Sequence, residues 1–191
     1  MDARARLKDL IKEKCVLRGD FVLASGQRSP VYFDCKRATL DPEGVHLIGL
    51  VILDTIDELV ATDTRWIDAI GGPTIGADPV VGHVAGLSWE RSITSRLASH
   101  RPIKAFLVRK ESKEHGTQRV IENDIPRGAR VVIFEDVVTT GGSTLEAIRK
   151  VEEAGLEIAA VIAVVDREQG GEAALERYRY RPIFRKSEFG I

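Results

Sequence analysis

The pattern of apolar and polar positions divides the chain into a short N-terminal part and a longer alternating part. Apolar residues at helical spacing over 7–15 predict an amphipathic helix. Two short apolar runs, 21–23 and 31–33, flank a polar turn and predict a pair of strands. The dipeptide Asp41-Pro42 predicts the start of a second helix, because aspartate caps a first turn and proline fits its first position.

The longer part alternates between continuous apolar runs and helical patterns. The predicted strands are 66–70, which ends at a Gly-Gly-Pro, 105–108, 131–134 and 158–165. The predicted helices are 77–85 and 143–154. Strands that are apolar on both faces and separated by helices are typical of a parallel sheet covered on two sides. The sequence therefore predicts an α/β fold with a central, mostly parallel sheet flanked by helices.

One long polar segment interrupts this alternation. Residues 110–124 contain only two clearly apolar side chains, those of Val120 and Ile121. Loops of this length that lack structure of their own are usually functional lids or disordered segments. We therefore treat the segment as a candidate part of the functional site.

Composition and charge narrow the class of protein. The chain has 191 residues, 43% of them apolar, which suits one domain that buries its own core. Its 28 basic and 29 acidic residues give a net charge of −1, so nucleic acid is not a favoured partner. Cys15 and Cys35 fit neither a disulfide framework nor a zinc motif and are expected to be reduced thiols. The charged N-terminus and the lack of a run of roughly 18 apolar residues predict a cytoplasmic protein without membrane contact.

The segment 130–144 combines a buried strand, two acids and a glycine-rich turn into a helix. Glu135 and Asp136 follow the apolar run, and residues 139–144 read Thr-Thr-Gly-Gly-Ser-Thr. Hydroxyls and backbone N–H groups at a helix N-terminus form an anion site, although a bare sequence of this kind also fits an ordinary capped turn. Two carboxylates at a strand end are costly unless they bind something, and ribose hydroxyls and Mg²⁺ are suitable ligands. The lysine of a P-loop is absent, which disfavours a nucleoside triphosphatase.

This combination resembles the signature with which phosphoribosyltransferases bind 5-phosphoribosyl 1-diphosphate (PRPP). The resemblance implies that Glu135 and Asp136 hold the ribose hydroxyls and that the following loop holds the 5-phosphate. The residues implied to bind PRPP here are Glu135, Asp136, Val137, Val138, Thr139, Thr140, Gly141, Gly142, Ser143 and Thr144. It also implies the type I phosphoribosyltransferase fold, with a small N-terminal hood formed mainly by residues 1–40.

The start of the polar segment resembles the flexible catalytic loop of orotate phosphoribosyltransferases, here residues 109–124. The family's arginine, two lysines and histidine contact the pyrophosphate and map to Arg109, Lys110, Lys113 and His115. With Asp136, the residues Arg109, Lys113 and His115 are the implied catalytic groups. Without the resemblance, the segment also fits a solvated charge run.

Three further segments resemble the same family. Residues 21–36 resemble its hood, which implies that Tyr32, Phe33 and Lys36 lie beside orotate, and Thr139 is implied there too. Residues 71–79 resemble its pyrophosphate-side loop, and Arg167 is implied to bind the orotate carboxylate, which suits a planar guanidinium. Some members carry lysines where this chain has Ala24 and Gly76; Lys36 and Arg37 are candidates to supply that charge.

The resemblance implies transfer of a phosphoribosyl group from PRPP to orotate in UMP biosynthesis. Mg²⁺ is expected as the cofactor, held mainly through PRPP, with Asp136 contributing through a water. The family also implies a homodimer in which each catalytic loop reaches the neighbouring site. Two alternatives stay open: a phosphoribosyltransferase for another base, and a non-catalytic regulator that binds PRPP.

Overall fold

The computed structural model describes residues 2–22, 28–95, 101–109 and 120–191, which form a six-stranded sheet between helices and a separate two-stranded hairpin. The strands are β1 (Val16–Val22), β2 (Arg28–Phe33), β3 (Ala69–Pro73), β4 (Lys104–Val108), β5 (Ile121–Glu122), β6 (Arg130–Val138), β7 (Glu157–Asp166) and β8 (Tyr180–Arg185). The α-helices are α1 (Ala3–Leu10), α2 (Lys36–Thr39), α3 (Pro42–Asp63), α4 (Asp78–Thr94), α5 (Gly142–Glu153) and α6 (Gly171–Leu175). A π-helical turn, Ile11–Cys15, follows α1, and short 3-10 helices follow α6 (Glu176–Tyr178) and β8 (Lys186–Phe189).

The large sheet has the strand order β5-β4-β3-β6-β7-β8. All neighbouring strands run parallel except the edge strand β5, which pairs with β4 in the antiparallel sense. The predicted α/β fold with a mostly parallel sheet is therefore confirmed. We call the edge at which the parallel strands end the upper edge, and the edge at which they begin the lower edge.

Helices cover both faces of this sheet, as its apolar strands require. On one face, α1, α3 and α4 pack against the side chains of Val132, Phe134 and Ile162. On the other face, α5 and α6 pack against alternate residues of the same strands, including Ile133 and Val161. Because the central strands are buried on both sides, the sheet is a rigid support for loops at its upper edge.

The hairpin of β1 and β2 is attached to the body by both ends of the chain. The backbone N–H of Asp34 donates to the carbonyl of Cys15 at 2.9 Å, which closes the hairpin base. The ring of Phe33 packs edge-on against that of Phe189, with 5.5 Å between centroids. The hairpin therefore has a fixed position next to the last strand of the sheet.

The predicted boundaries of β3 were wrong, and its end was misplaced because two glycines were read as a strand end. β3 starts later than the predicted strand and continues through Gly71 and Gly72. A Cβ on Gly71 would lie 2.4 Å from the Phe106 ring, and one on Gly72 would lie 2.1 Å from the Phe134 carbonyl oxygen. These glycines allow close packing inside the sheet. Helix α4 also extends to Thr94, beyond the predicted end at residue 85.

Other elements were missed because their apolar content is small or alternates. Ile121 and Glu122 form the short strand β5 inside the segment that was predicted to be a loop. Strand β8 was not predicted, and it adds an edge in which buried and exposed residues are mixed. The acids Glu135 and Asp136 lie within β6, which continues to Val138.

None of the helices in the described part of the chain is long and apolar enough to cross a membrane.

Candidate active site

A cleft of about 490 Å³ lies between the hairpin and the upper edge of the sheet. Its lining residues are Val22, Tyr32, Phe33, Cys35, Lys36, Asp136, Val137, Thr139, Thr140, Arg167 and Gln169. This volume lies in the usual range for small-ligand sites, and the upper edge is where α/β sheets bind ligands. The cleft therefore contains acidic, basic, hydroxyl and aromatic groups in one small space.

The loop 139–144 joins β6 to the N-terminus of α5, as predicted. Gly141 is the N-cap of this helix, and its φ of 83° is a left-handed conformation that favours glycine. Thr140, Gly142 and Ser143 are exposed at the first turn. Exposed hydroxyls and N–H groups at the positive end of a 12-residue helix are suited to a phosphate.

Glu135 is buried below this loop and does not line the cleft. Its carboxylate accepts hydrogen bonds from the hydroxyls of Ser143, at 3.3 Å, and Thr144, at 3.2 Å. Burial, followed by the neighbouring Asp136 charge, raises the pKa of Glu135 from 4.5 to about 8. In this conformation Glu135 supports loop 139–144 from below. Val138 is also buried, and its carbonyl accepts a hydrogen bond from the backbone N–H of Arg167 at 2.9 Å.

Asp136 is the member of the acidic pair that lines the cleft. Burial raises the pKa of its carboxyl group, and the nearby positive charge of Lys36 opposes that rise. A Cβ on Gly76 would lie 2.8 Å from Asp136 Oδ1. The glycine therefore gives the carboxylate room, and a lysine at position 76 would displace it.

All five side chains predicted to surround the base line this one cleft: Tyr32, Phe33, Lys36, Thr139 and Arg167. They differ in how much they present to it. Phe33 is only 3% exposed and packs mainly in the core. Tyr32, the next residue on the strand, is half-buried and packs against Phe21 at 5.6 Å between ring centroids. Tyr32 is therefore the aromatic side chain better placed to contact a ligand.

Arg167 is the buried cation of the cleft. The residue is 6% exposed, and its Nε has no hydrogen-bond partner among the described residues. Burial lowers the pKa of its guanidinium, which nevertheless keeps its charge because arginine does not deprotonate in proteins. A buried, unsatisfied cation is costly unless an anion completes it.

The predicted pyrophosphate contacts are only partly visible. Arg109 lies at the end of β4, outside the cleft, and its Nε donates to Glu122 Oε1 at 2.6 Å. Lys110, Lys113 and His115, like Ala24, lie outside the described residues. The structure therefore brings the predicted base-site side chains into one cleft with Asp136 and Thr140, whereas Arg109 lies outside this cleft with a carboxylate partner.

Sequence reasoning missed three residues of the cleft wall: Val22, Cys35 and Gln169. Cys35 was read only as a reduced thiol. A hydrogen bond with Cys15, followed by burial, raises the pKa of the Cys35 thiol, and both cysteines are free. Gln169 lies only two residues after Arg167, and this closeness in the sequence is the signal that could have identified it as a cleft residue.

The described residues contain no group of three or more histidine, cysteine or acidic side chains that would hold a metal by itself. Asp136 is the acidic side chain that lines the cleft. Mg²⁺ prefers oxygen ligands and usually keeps several waters beside one or two carboxylates and substrate phosphates. The donor set therefore fits a Mg²⁺ ion that is bound largely through a phosphorylated substrate.

Known proteins resemble this chain along almost its entire length. The model of the phosphoribosyl transferase domain matches residues 80–181. Orotate phosphoribosyltransferase from Rhodopseudomonas palustris (strain TIE-1) is 41% identical over 193 residues, which cover 98% of this chain and 96% of the relative. The enzyme of that name from Aquifex aeolicus (strain VF5) is 43% identical over 177 residues, 91% of this chain and 89% of the relative.

A solved structure shows the same likeness. The crystal structure of Mycobacterium tuberculosis H37Rv orotate phosphoribosyltransferase in complex with PRPP matches with a TM-score of 0.72 and 33% sequence identity. The match covers 99% of each chain.

Proposed function

This chain belongs to the orotate phosphoribosyltransferase family, and we propose that its cleft joins N1 of orotate to the anomeric carbon of PRPP. The products are orotidine 5′-phosphate and pyrophosphate, so the enzyme is a pentosyltransferase of pyrimidine biosynthesis. One observation carries the assignment to this cleft: Arg167, a buried guanidinium that no carboxylate among the described residues pairs with, lines the same space as Asp136 and the start of loop 139–144. An anionic base can pair with Arg167 while a ribose phosphate binds the loop and Asp136.

The ribose phosphate half of the site is the loop 139–144 with the acidic pair. The 5-phosphate accepts hydrogen bonds from the exposed first turn of α5. Asp136 accepts hydrogen bonds from the ribose hydroxyls. Glu135 supports Asp136 indirectly through loop 139–144, or accepts from the ribose hydroxyls as well once its carboxyl group is ionised. Asp136 would hold Mg²⁺ through a water beside PRPP, and the ion would supply positive charge to the pyrophosphate.

The base half is the wall formed by Arg167, Lys36, Tyr32 and Thr139. The planar guanidinium of Arg167 donates two hydrogen bonds to the orotate carboxylate. Lys36 adds a second cation near the carboxylate of Asp136. It supplies the positive charge that some family members provide with a lysine at the position of Ala24. The hairpin that carries Tyr32 acts as the hood over the base.

Catalysis rests on positioning and charge, because the reaction needs no covalent nucleophile. Positive charge develops on the ribose as its bond to pyrophosphate breaks, and Asp136 lies where that charge is stabilised. Arg109, Lys110, Lys113 and His115 neutralise the leaving pyrophosphate. In the structure Glu122 holds Arg109, so Arg109 must exchange this carboxylate for pyrophosphate when the loop 109–124 covers the site.

A homodimer completes the proposal, and one exposed apolar surface suits it. Ile75, Trp89 and Ile93 are 75%, 58% and 63% exposed. Beside them on α4, Gly82 and Gly86 leave open space where a second helix can approach closely. This surface starts at the predicted pyrophosphate-side loop, so a second copy seated there lies close to the end of the site where the partner's catalytic loop is proposed to bind.

The dimer is tested by the mass of Trp89→Glu in solution. Light scattering is expected to give half the mass of the unmodified protein, because a charge in this surface opposes association. Leu40→Glu is the matched control, since Leu40 is 69% exposed but lies outside α4. An unchanged mass for Trp89→Glu contradicts this surface as the interface.

The activity is tested by incubating the protein with Mg²⁺, PRPP and a panel of orotate, uracil, adenine and hypoxanthine. We expect pyrophosphate release with orotate and little with the others. Turnover of a purine in place of orotate would assign another base, and PRPP binding without any turnover would indicate a regulator.

A further inference from the structure

The turn that carries Arg167 is tied to its surroundings on both sides. Asp166 ends β7, and its Oδ1 accepts a hydrogen bond from the backbone N–H of Glu168 at 2.6 Å. The backbone N–H of Arg167 donates to the carbonyl of Val138 at 2.9 Å, just before the phosphate loop. The backbone of this turn is therefore fixed between two strands of the upper edge.

Glu168 holds the far side of the turn in an uncommon conformation. Its φ of 56° is left-handed, which side chains other than glycine rarely adopt. Its carboxylate accepts two hydrogen bonds from Ser187, one from the backbone N–H at 2.7 Å and one from Oγ at 3.0 Å. Such a conformation persists where the surrounding contacts over-determine it.

Ser187 connects this turn to the opposite wall of the cleft. It belongs to the short 3-10 helix Lys186–Phe189, and Phe189 packs against Phe33 of the hairpin. Phe184, at the end of β8, also packs against Phe189, with 5.7 Å between ring centroids. The C-terminal segment therefore contacts both the Arg167 turn and the strand that carries Tyr32.

We propose that Glu168 is a positioning residue for base recognition, which holds the Arg167 guanidinium toward the cleft through its two hydrogen bonds to Ser187. This inference rests on the proposed function, in which Arg167 receives the orotate carboxylate. Nothing among the described residues satisfies Arg167 Nε, so the direction of the guanidinium depends on the backbone that carries it. A cation aimed before binding loses less conformational freedom on binding, which raises affinity.

The effect is expected on the base and not on PRPP, because the phosphate loop has separate supports. The backbone N–H of Gly171 donates to the Thr139 carbonyl at 2.9 Å, and that of Leu145 donates to the Gly141 carbonyl at 2.9 Å. Neither contact involves Glu168 or Ser187. Loss of the Glu168–Ser187 bonds therefore leaves these supports in place.

The test compares Glu168→Gly with Glu168→Gln. Glycine accepts the left-handed backbone without strain but removes both bonds, so we expect KM for orotate to rise about 10-fold with kcat nearly unchanged. KM for PRPP is expected to stay within about 2-fold. Glutamine keeps an acceptor for Ser187 and is expected to retain most of the orotate affinity. Thr64→Gly is the matched control, because Thr64 has a similar φ of 57° at the end of α3.

Two results would overturn the inference. Equal rises in KM for orotate and PRPP in Glu168→Gly would overturn it, since Glu168 would then act on the fold in general. Should that variant fail to fold, Ser187→Ala, which loses only the Oγ bond, is expected to raise KM for orotate about 3-fold, and no rise would overturn the inference.

Arg167→Met separates failure of the inference from failure of the proposed function. If Arg167→Met raises KM for orotate strongly and Glu168→Gly does not, Glu168 has no positioning role and the function stands. If Arg167→Met leaves KM for orotate unchanged, the assigned role of Arg167 is wrong and the inference falls with it.

Discussion

The two edges of the sheet differ in how their buried charged side chains are paired. At the lower edge, the Arg130 side chain is 5% exposed, contacts the carboxylate of Asp63 and donates to the Arg65 carbonyl at 2.9 Å. At the upper edge, Arg167 is similarly enclosed, and the Nε of each arginine lacks a hydrogen-bond partner, but no carboxylate among the described residues pairs with Arg167. Glu135 and Asp136 also lie there with raised pKa values. The buried guanidinium at the lower edge is therefore paired with carboxylates of the protein, whereas the one at the upper edge is available to pair with an anionic ligand.

The largest expected effect is on catalysis at the upper edge. We predict that Lys113→Ala lowers kcat about 1,000-fold, because this lysine neutralises the leaving pyrophosphate only as the bond breaks. PRPP affinity is expected to fall far less, and calorimetry with a steady-state assay checks both. Equal loss in kcat and affinity, or no loss in either, would contradict a catalytic role for the loop.

The next effect is on stability at the lower edge. Arg130→Met is predicted to lower the free energy of unfolding by about 3 kcal/mol, since the Arg65 carbonyl loses its donor and the Asp63 carboxylate keeps only the exposed Arg179 as a partner. Urea titration measures this change. Activity per folded molecule should remain near that of the unmodified enzyme, and a selective loss of activity would erase the distinction between the edges.

A smaller effect is expected from the carboxylate that lines the cleft. Asp136→Asn is predicted to weaken PRPP binding about 30-fold, because the amide offers the ribose hydroxyls one neutral acceptor oxygen in place of two charged ones. The neutral amide keeps the shape of the site, so stability should not fall. Unchanged affinity in a calorimetric titration would show that Asp136 does not contact PRPP.

The smallest effect is a proton released on binding. The pKa of Glu135, about 8, lies above its ordinary value of 4.5, so the free protein holds this proton at pH 7. Because the folded state binds the proton more tightly, the stabilising contribution is full below pH 4.5 and is lost as the pH rises through about 8. Ribose hydroxyls and Mg²⁺ favour the ionised pair, so PRPP binding should release protons at pH 7 and fewer at pH 9.

Calorimetry in buffers of different ionisation enthalpy measures this release. Glu135→Gln is the control, because it removes the titrating group and should abolish most of the signal. Proton uptake on PRPP binding at pH 7 would contradict the conclusion that Glu135 is protonated in the free protein and ionised in the complex.

The sequence predicted the sheet and the upper-edge groups because both depend on local pattern. Apolar runs identified four of the central strands; Asp136 lies near the end of one of them, and Thr139 and Arg167 directly follow two of them. Contacts between distant segments were missed. The Arg109–Glu122 pair joins residues 13 apart across the loop, and Ser187 meets Glu168 from 19 residues away.

Other features depend on packing that no local pattern reports. Gly71 and Gly72 look like a strand end, and only the nearby Phe106 ring and Phe134 carbonyl explain why they lie inside β3. Likewise, the raised pKa of Glu135 follows from burial beneath the loop, which two adjacent acids in a sequence do not specify.

The most direct test of the contrast between the edges is the free energy of unfolding of Arg167→Met, measured by urea titration beside Arg130→Met. The same substitution removes one buried guanidinium from each edge. We predict that Arg167→Met is at least as stable as the unmodified protein while it loses orotate turnover, because it removes a charge that awaits a ligand. A loss of stability as large as that of Arg130→Met, with orotate turnover retained, would contradict the account.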